Sequence, residues 1–293
     1  MTQPTSQPPA GGTLRIGGDL SVNRLGYGAM RLTGPGIWGD PADPAEAVRV
    51  LRRAVELGVN FIDTADAYGP FTSDLLIKKA LHPYPDDLVI ATKVGLARPG
   101  PDDWRPIGRP EYLRQQVELN LRHLGLDSIP LLQLHRIDPA VPLEDQVGEL
   151  AELRAEGKIR HIGLSEVTVE ELEKARTVTP IASVQNLYNL AERKYEDVLR
   201  HAELHGLAFI AWFPLAMGQL ATPDSAPVAG DGTAVGEASG ATPAQLALAW
   251  LLRHSPVLLP IPGTSSVAHL EENVASAAIR LSEQEYKSMT AAG

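Results

Sequence analysis

The chain has 293 residues, with 26 Lys and Arg against 36 Asp and Glu, a formal charge of −10, and no cysteine. That balance repels phosphate backbones and anionic lipid, so nucleic acid and membrane surfaces are poor partners. The missing thiols exclude disulfides, thiolate nucleophiles and Cys-ligated metals, and leave any redox chemistry to a bound cofactor.

The opening MTQPTSQPPAGG is polar and Pro-rich, without the charged and apolar regions of a signal peptide. No apolar run approaches the roughly 18 residues of a membrane span. Residues 1–12 are therefore expected to be a disordered leader on a cytoplasmic protein. Leu14 to Ile16 and Leu20 to Val22 flank Gly17-Gly18-Asp19, the pattern of a short hairpin that could plug the floor of a barrel. A strand over 24–30 then runs into the Gly/Pro loop TGPGIWGDPAD, which carries Trp38. Asp43-Pro44-Ala45-Glu46 combines an N-cap, a Pro at the first helical position and a capping-box acid. Ala47, Val50, Leu51, Ala54 and Leu57 follow at helical spacing until Gly58 stops the helix.

The alternation continues. An apolar strand leads into Asp63, and further strands are expected over 88–92, 129–134, 159–164, 182–184, 207–211 and 257–261. Helices fall between them over 73–81, 110–124, 143–156, 169–175, 195–205 and 243–254, with a last one over 267–277. Short apolar strands alternating with helices imply parallel right-handed crossovers. The expected fold is α/β: a single (βα)8 TIM barrel over 13–293, with an N-terminal β-hairpin and a C-terminal helix opened by the Ser282/Glu285 capping box. The Gly/Ala/Pro-rich segment 221–240 is expected to be a mobile loop over the barrel mouth.

Three of the apolar runs end in polar groups: Asp63 and Tyr68 in NFIDTADAY, Lys93 in LVIATK and His135 in IPLLQLH. In a parallel barrel the C-terminal strand ends converge on one mouth, where chemistry sits. Reducing a carbonyl needs a hydride on carbon and a proton on oxygen. A free phenol, near about 10, is a weak donor. The Lys93 ammonium beside Tyr68 would lower that value, and Asp63 would hold the ammonium. A neutral His135 could donate an N–H to the carbonyl oxygen.

Gly263-Thr264-Ser265-Ser266 supplies hydroxyls and free helix N-terminal N–H groups, an arrangement that serves either as a helix cap or as a phosphate site. No Gly-x-Gly-x-x-Gly is present, so a Rossmann grip is not expected. His201 and His205 have the i, i+4 spacing of a helical metal pair; with no third ligand evident they read as a solvated face, and no metal is expected.

The strand-end set Asp63, Tyr68, Lys93 and His135, with RLGYGAMRLTGPGIWG, DTADAYGP, QLHRID and IPGTSSVAHLEEN, resembles the aldo-keto reductases from about residue 23 to the end, and most closely their bacterial pyridoxal reductase branch. The resemblance implies NADPH as cofactor and a small carbonyl substrate. Pyridoxal is favoured, against two alternatives: broad aldehyde detoxification, or an NADPH-binding regulatory subunit with little turnover. Monomers or small homo-oligomers are both compatible with it. By the same resemblance Ser165 and Gln185 would bond the nicotinamide amide and Trp212 would stack on its ring. Pro214 and Leu215 would line the cofactor, Gly263, Thr264, Ser265, Ser266 and His269 would hold the adenosine phosphate, and Glu272 and Asn273 would face adenine. Two departures stand out. Glu166 replaces the usual Asn; as a cofactor contact its carboxylate could accept from the nicotinamide amide N–H2 but, when ionised, cannot donate. Gly263 and His269 replace the Lys and Arg that many relatives place at the 2′-phosphate. Trp38, Trp104, Arg136 and Phe213, with Tyr188 as a further candidate, would shape the substrate side.

Overall fold

The β-hairpin forms as its sequence dictates: β1 (Thr13–Ile16) and β2 (Leu20–Asn23) pair antiparallel around Gly17 and Gly18, both of which take left-handed φ (61° and 87°). Ile16 and Val22 are fully buried against Phe61, Leu131, Ile210 and Leu259, so this hairpin is the floor plug. The computed structural model describes residues 11–222 and 240–292; residues 1–10 of the expected leader and 223–239 of the expected mouth loop lie outside it. Gly11 and Gly12, the described end of that leader, accept hydrogen bonds from Arg24.

The barrel strands are β3 (Tyr27–Gly28), β4 (Phe61–Asp63), β5 (Val89–Val94), β8 (Ile129–Leu134), β9 (Ile159–Ser165), β10 (Ser183–Leu187), β11 (Ala208–Trp212) and β12 (Leu258–Pro260). They form one 8-stranded sheet in that order, and every pairing within it is parallel. Between β5 and β8 lies an antiparallel hairpin of its own, β6 (Leu96–Gly100) with β7 (Asp103–Pro106). The sheet curls until its ends meet: Gly26 N–H donates to the Pro260 carbonyl at 3.0 Å and Gly28 N–H to that of Pro262 at 3.5 Å. Glycine is required at this seam, because a Cβ on Gly28 would lie 2.7 Å from the Ile261 carbonyl oxygen and one on Gly26 2.8 Å from the Phe61 ring.

Helices α1 (Pro44–Glu56), α2 (Thr72–Leu81), α3 (Pro110–Leu124), α4 (Leu143–Ala155), α5 (Val169–Arg176), α6 (Glu196–His205), α7 (Pro243–His254) and α8 (Val267–Ala275) cover the sheet, and α9 (Glu283–Ala292) follows. Their starts are written locally. Asp43 accepts the Glu46 N–H at 2.9 Å, and Thr168 and Thr242 each make a complete capping box. The Ser282/Glu285 box that opens α9 is likewise formed. Apolar stripes on the helices and the outward strand residues make the main cores, including Leu132, Val147, Ile162 and Leu248.

Two expectations are corrected and one element is added. The first barrel strand is far shorter than 24–30, since the chain leaves the sheet into a 3-10 turn at Ala29–Leu32. The helix expected over 267–277 ends at Ala275 and tightens into a 3-10 turn at Ser276–Ala278. The β6–β7 hairpin was not foreseen. No helix among the described residues is long and apolar enough to cross a membrane.

Candidate active site

β4 and β5 deliver the centre of the site side by side. Asp63 ends β4, and the chain turns through Thr64 to Ala67 to reach Tyr68 before α2 begins. Lys93, the penultimate residue of β5, is fully buried. Its ammonium donates to Asp63 Oδ1, to the Thr64 carbonyl at 2.9 Å and to Tyr68 Oη at 3.2 Å. Asp63 Oδ2 accepts from the side-chain amides of Gln133 (3.0 Å) and Gln185 (2.8 Å). Those contacts leave the carboxylate few ways to move, so the ammonium is fixed in turn. His135, immediately after β8, meets the Tyr68 ring edge-on at 5.9 Å between centroids, and Trp104 from β7 does so at 6.4 Å.

The electrostatics follow from burial. His135 is held well below the usual imidazole value by desolvation first, then by the positive charges of Lys93 and Arg136, so the ring is neutral at neutral pH. Burial alone would lower Lys93, but Asp63 and Tyr68 outweigh it and its pKa is raised. Burial pushes the Tyr68 phenol up, and Lys93 pulls it down without fully offsetting that. Lys93 acts on the phenol in the expected direction, but burial outweighs it: the cost of placing a phenolate in low dielectric exceeds the attraction of one ammonium already engaged by Asp63.

Behind this centre lie two more carboxyls. Asp66 has no partner for either side-chain oxygen, and Asp74 accepts from Thr64 Oγ1 at 2.8 Å with one oxygen unpaired. Burial, then the neighbouring Asp74, raises Asp66 well above the carboxylate range; burial pushes Asp74 up to about 7. A raised folded value means that, from the ordinary 3.8 to about 7, the folded chain keeps a proton the unfolded chain has lost, so this group's contribution to stability falls as pH rises through that window. Asp74→Asn is expected to stabilise the fold by on the order of 2–4 kcal/mol at pH 8, and by less at pH 5. Urea unfolding at both pH values tests this; an equal or larger gain at pH 5 contradicts it.

The tetrad opens onto a cavity of about 840 Å³ across the barrel mouth. Of the residues expected at the cofactor, Ser165, Gln185, Trp212, Pro214 and Leu215 line one side, and Gly263, Thr264, Ser265, His269, Glu272 and Asn273 the other. Trp104, Arg136 and Phe213, expected at the substrate, line it too. Four expected residues do not. Glu166 turns away: its carboxylate accepts from the Trp212 indole N–H (2.7 Å), the Leu187 N–H (2.6 Å) and Tyr195 Oη (3.1 Å), so it fixes the Trp212 ring instead of meeting a ligand amide. Trp38 packs beneath the Arg98 guanidinium at 5.7 Å, and Ile37 takes the wall position. Tyr188 is fully buried between Phe209 and Trp250, with Oη donating to Glu196. Ser266 is the N-cap residue of α8, at the edge of the cavity wall.

The His201/His205 pair gains a third group the sequence did not reveal: Glu173 on α5, whose carboxylate is 2.7 Å from His201 Nε2. Arg176 already pairs with Glu173 and reaches His205 Nδ1 at 3.3 Å, so a guanidinium occupies the place of an ion.

Sequence reasoning also missed Gln133 and Arg98. Gln133 was findable, since a polar residue two before His135 on an apolar strand shares its inward face. Arg98 carried no signal. It lies 3.6 Å from the Trp104 ring centroid and donates to the carbonyls of Gly36, Ile37, Ala67 and Asp103, tying three loops of the mouth together.

An open-mouthed barrel with a buried lysine bridging a carboxylate and a phenol defines a class, and residues 24–293 match the family model described as Aldo/keto reductase family: the chain belongs to that family. It is 51% identical over 285 residues to an uncharacterized oxidoreductase of Schizosaccharomyces pombe, covering 96% of this chain and 90% of that one. It is 46% identical over 274 residues to the pyridoxine 4-dehydrogenase of Escherichia coli, covering 91% and 93%. Among solved structures it resembles an aldo-keto reductase from Klebsiella pneumoniae in complex with NADPH, at TM-score 0.78 and 29% identity over 96% of this chain and 94% of that one.

Proposed function

We propose that the protein is a cytoplasmic NADPH-dependent reductase that converts pyridoxal to pyridoxine. The observation that carries the reductase reading is the buried Lys93, which reaches the oxygens of Asp63 and Tyr68 at the base of the cavity. Pyridoxal is supported by the Escherichia coli relative and by Trp104 and Phe213 on the cavity wall, rings of a kind that pack against a heteroaromatic aldehyde.

The residues present fit the cofactor. Gln185 has its amide nitrogen on Asp63 and Gln133, which leaves its carbonyl oxygen for an amide N–H from the cavity. Ser165 Oγ accepts from Arg136 at 3.1 Å and keeps its own hydrogen to donate. Trp212 presents a ring held in place by Glu166. Thr264, Ser265 and the N–H groups of α8 would hold the adenosine phosphate at the far end. NADPH, when bound, supplies the hydride. Tyr68 Oη gives its proton to the carbonyl oxygen, Lys93 stabilises the phenolate that remains, and neutral His135 orients the same oxygen through a ring N–H. Trp104, stacked on Arg98, walls the reacting end.

NADPH oxidation followed at saturating cofactor is expected to give pyridoxal a kcat/KM at least about tenfold above hexanal, a margin within the reach of one well-packed ring. A flat profile across pyridoxal, methylglyoxal, nitrobenzaldehyde and hexanal would replace pyridoxal by a broad aldehyde range. Cofactor binding without turnover on any of them would refute the enzyme reading.

A further inference from the structure

We infer that Arg31 is the cation that meets the 2′-phosphate and sets the preference for NADPH over NADH, in place of a side chain that position 263 cannot carry. The inference rests on the NADPH reading above.

Gly263 sits against the barrel seam. A Cβ there would lie 2.6 Å from the Gly28 carbonyl oxygen and 3.5 Å from its carbon, so backbone, not a movable side chain, blocks it. The next atom that Cβ would meet is Arg31 Cγ, at 3.7 Å. The methylene stem of Arg31 thus runs beside the space a residue-263 side chain would enter. Arg31 belongs to the 3-10 turn Ala29–Leu32 that follows β3, and it lines the same cavity as Gly263, Thr264 and Ser265.

Among the described residues its guanidinium has no partner. No carboxylate or carbonyl among them holds it, whereas Arg98 and Arg136, the cations nearer the tetrad, are tied to carbonyl and hydroxyl oxygens. An exposed arginine at the rim of a cavity, with all its donors available, is suited to a bidentate grip on phosphate.

The surroundings make such a cation necessary. Glu46 Oε1 accepts from the Val267 N–H at 3.4 Å, so an anion already stands at the N-terminus of α8. Arg49 pairs with the other oxygen of Glu46 at 2.6 Å and faces solvent. Glu272, bonded to Thr242, lines the cavity from α8 itself. Facing these two carboxylates, His269 and the hydroxyls of Thr264 and Ser265 are a modest donor set, and the helix end is partly countered. Arg31 is the permanent positive charge left to favour a phosphate there.

Dissociation constants for NADPH and NADH, read from quenching of intrinsic Trp fluorescence in the intact wild type, Arg31→Ala and Arg31→Lys, test this. Arg31→Ala is expected to weaken NADPH by about tenfold or more, as loss of a charge-assisted bond does, while NADH changes by less than about twofold. Arg31→Lys should recover part of the loss, and thermal midpoints should stay together because the side chain holds no other described residue. An equal loss for both cofactors would put Arg31 on the shared pyrophosphate and overturn the selectivity claim, as would an unchanged NADPH constant. A wild type that binds NADH as tightly as NADPH would instead refute the NADPH reading, a separate failure visible before any variant is made.

Discussion

Replacing Tyr68 by Phe is expected to lower kcat for pyridoxal reduction by about 10²–10⁴-fold, the range of a lost general acid, while the NADPH dissociation constant stays within about twofold. Among the described residues the phenol has one hydrogen bond, the 3.2 Å bond from Lys93, and its ring packs edge-on to His135 and Trp104. Phe keeps that packing, so the loss isolates the proton. Burial keeps the phenol protonated and His135 neutral, so the proton at issue is the one on Tyr68 Oη. Single-turnover kinetics with bound NADPH separate the chemical step from cofactor release; wild-type turnover in the variant would remove Tyr68 from its role.

Lys93→Met is expected to be as damaging to turnover and, unlike Tyr68→Phe, to cost stability. The ammonium neutralises a carboxylate that is itself buried, and removing one partner of such a pair costs about 3–5 kcal/mol. Only the amides of Gln133 and Gln185 would remain on Asp63. The double variant Asp63→Asn/Lys93→Met should recover much of the stability and none of the rate. Lys93→Arg should not rescue either, since a planar guanidinium cannot reach Asp63, the Thr64 carbonyl and Tyr68 from one point. Urea midpoints with parallel rate assays decide the matter: recovered turnover in the double variant would show the pair to be structural scaffolding only.

The parts of this architecture that were legible in the sequence are those encoded within a few residues. Pro110, Pro243 and the capping Thr242 mark helix starts directly, Gly125 and Gly206 mark helix ends, and the apolar runs before Asp63, Lys93 and His135 mark strand ends that the parallel order then brings together. What was not legible depends on groups far apart in the chain. Glu166 reads as a ligand contact until Trp212 and Tyr195 are seen to claim it. Trp38 reads as a pocket residue until Arg98, 60 positions on, draws it aside. Tyr68 reads as acidified by its lysine until the depth of burial is known. The third group beside His201 comes from a neighbouring helix that no spacing rule connects to it.

The seam between β3 and β12 has a one-sided chemistry. Across the seam, Pro260 at the end of β12 and Pro262 just beyond it accept from Gly26 and Gly28 but as prolines return no N–H. Beyond those two bonds, side chains hold the join: the Tyr27 hydroxyl donates to the Thr264 carbonyl at 2.6 Å, and Arg24 Nε to the Leu258 carbonyl at 3.3 Å. Every other junction of the sheet is a regular ladder. This junction is also the one whose two lips, Arg31 on one and Gly263 to Ser265 on the other, frame the far end of the cavity. On the proposed reading, a dinucleotide held by both lips would tie β3 to the segment after β12, so that binding would stabilise the closed circle of strands as well as load the site.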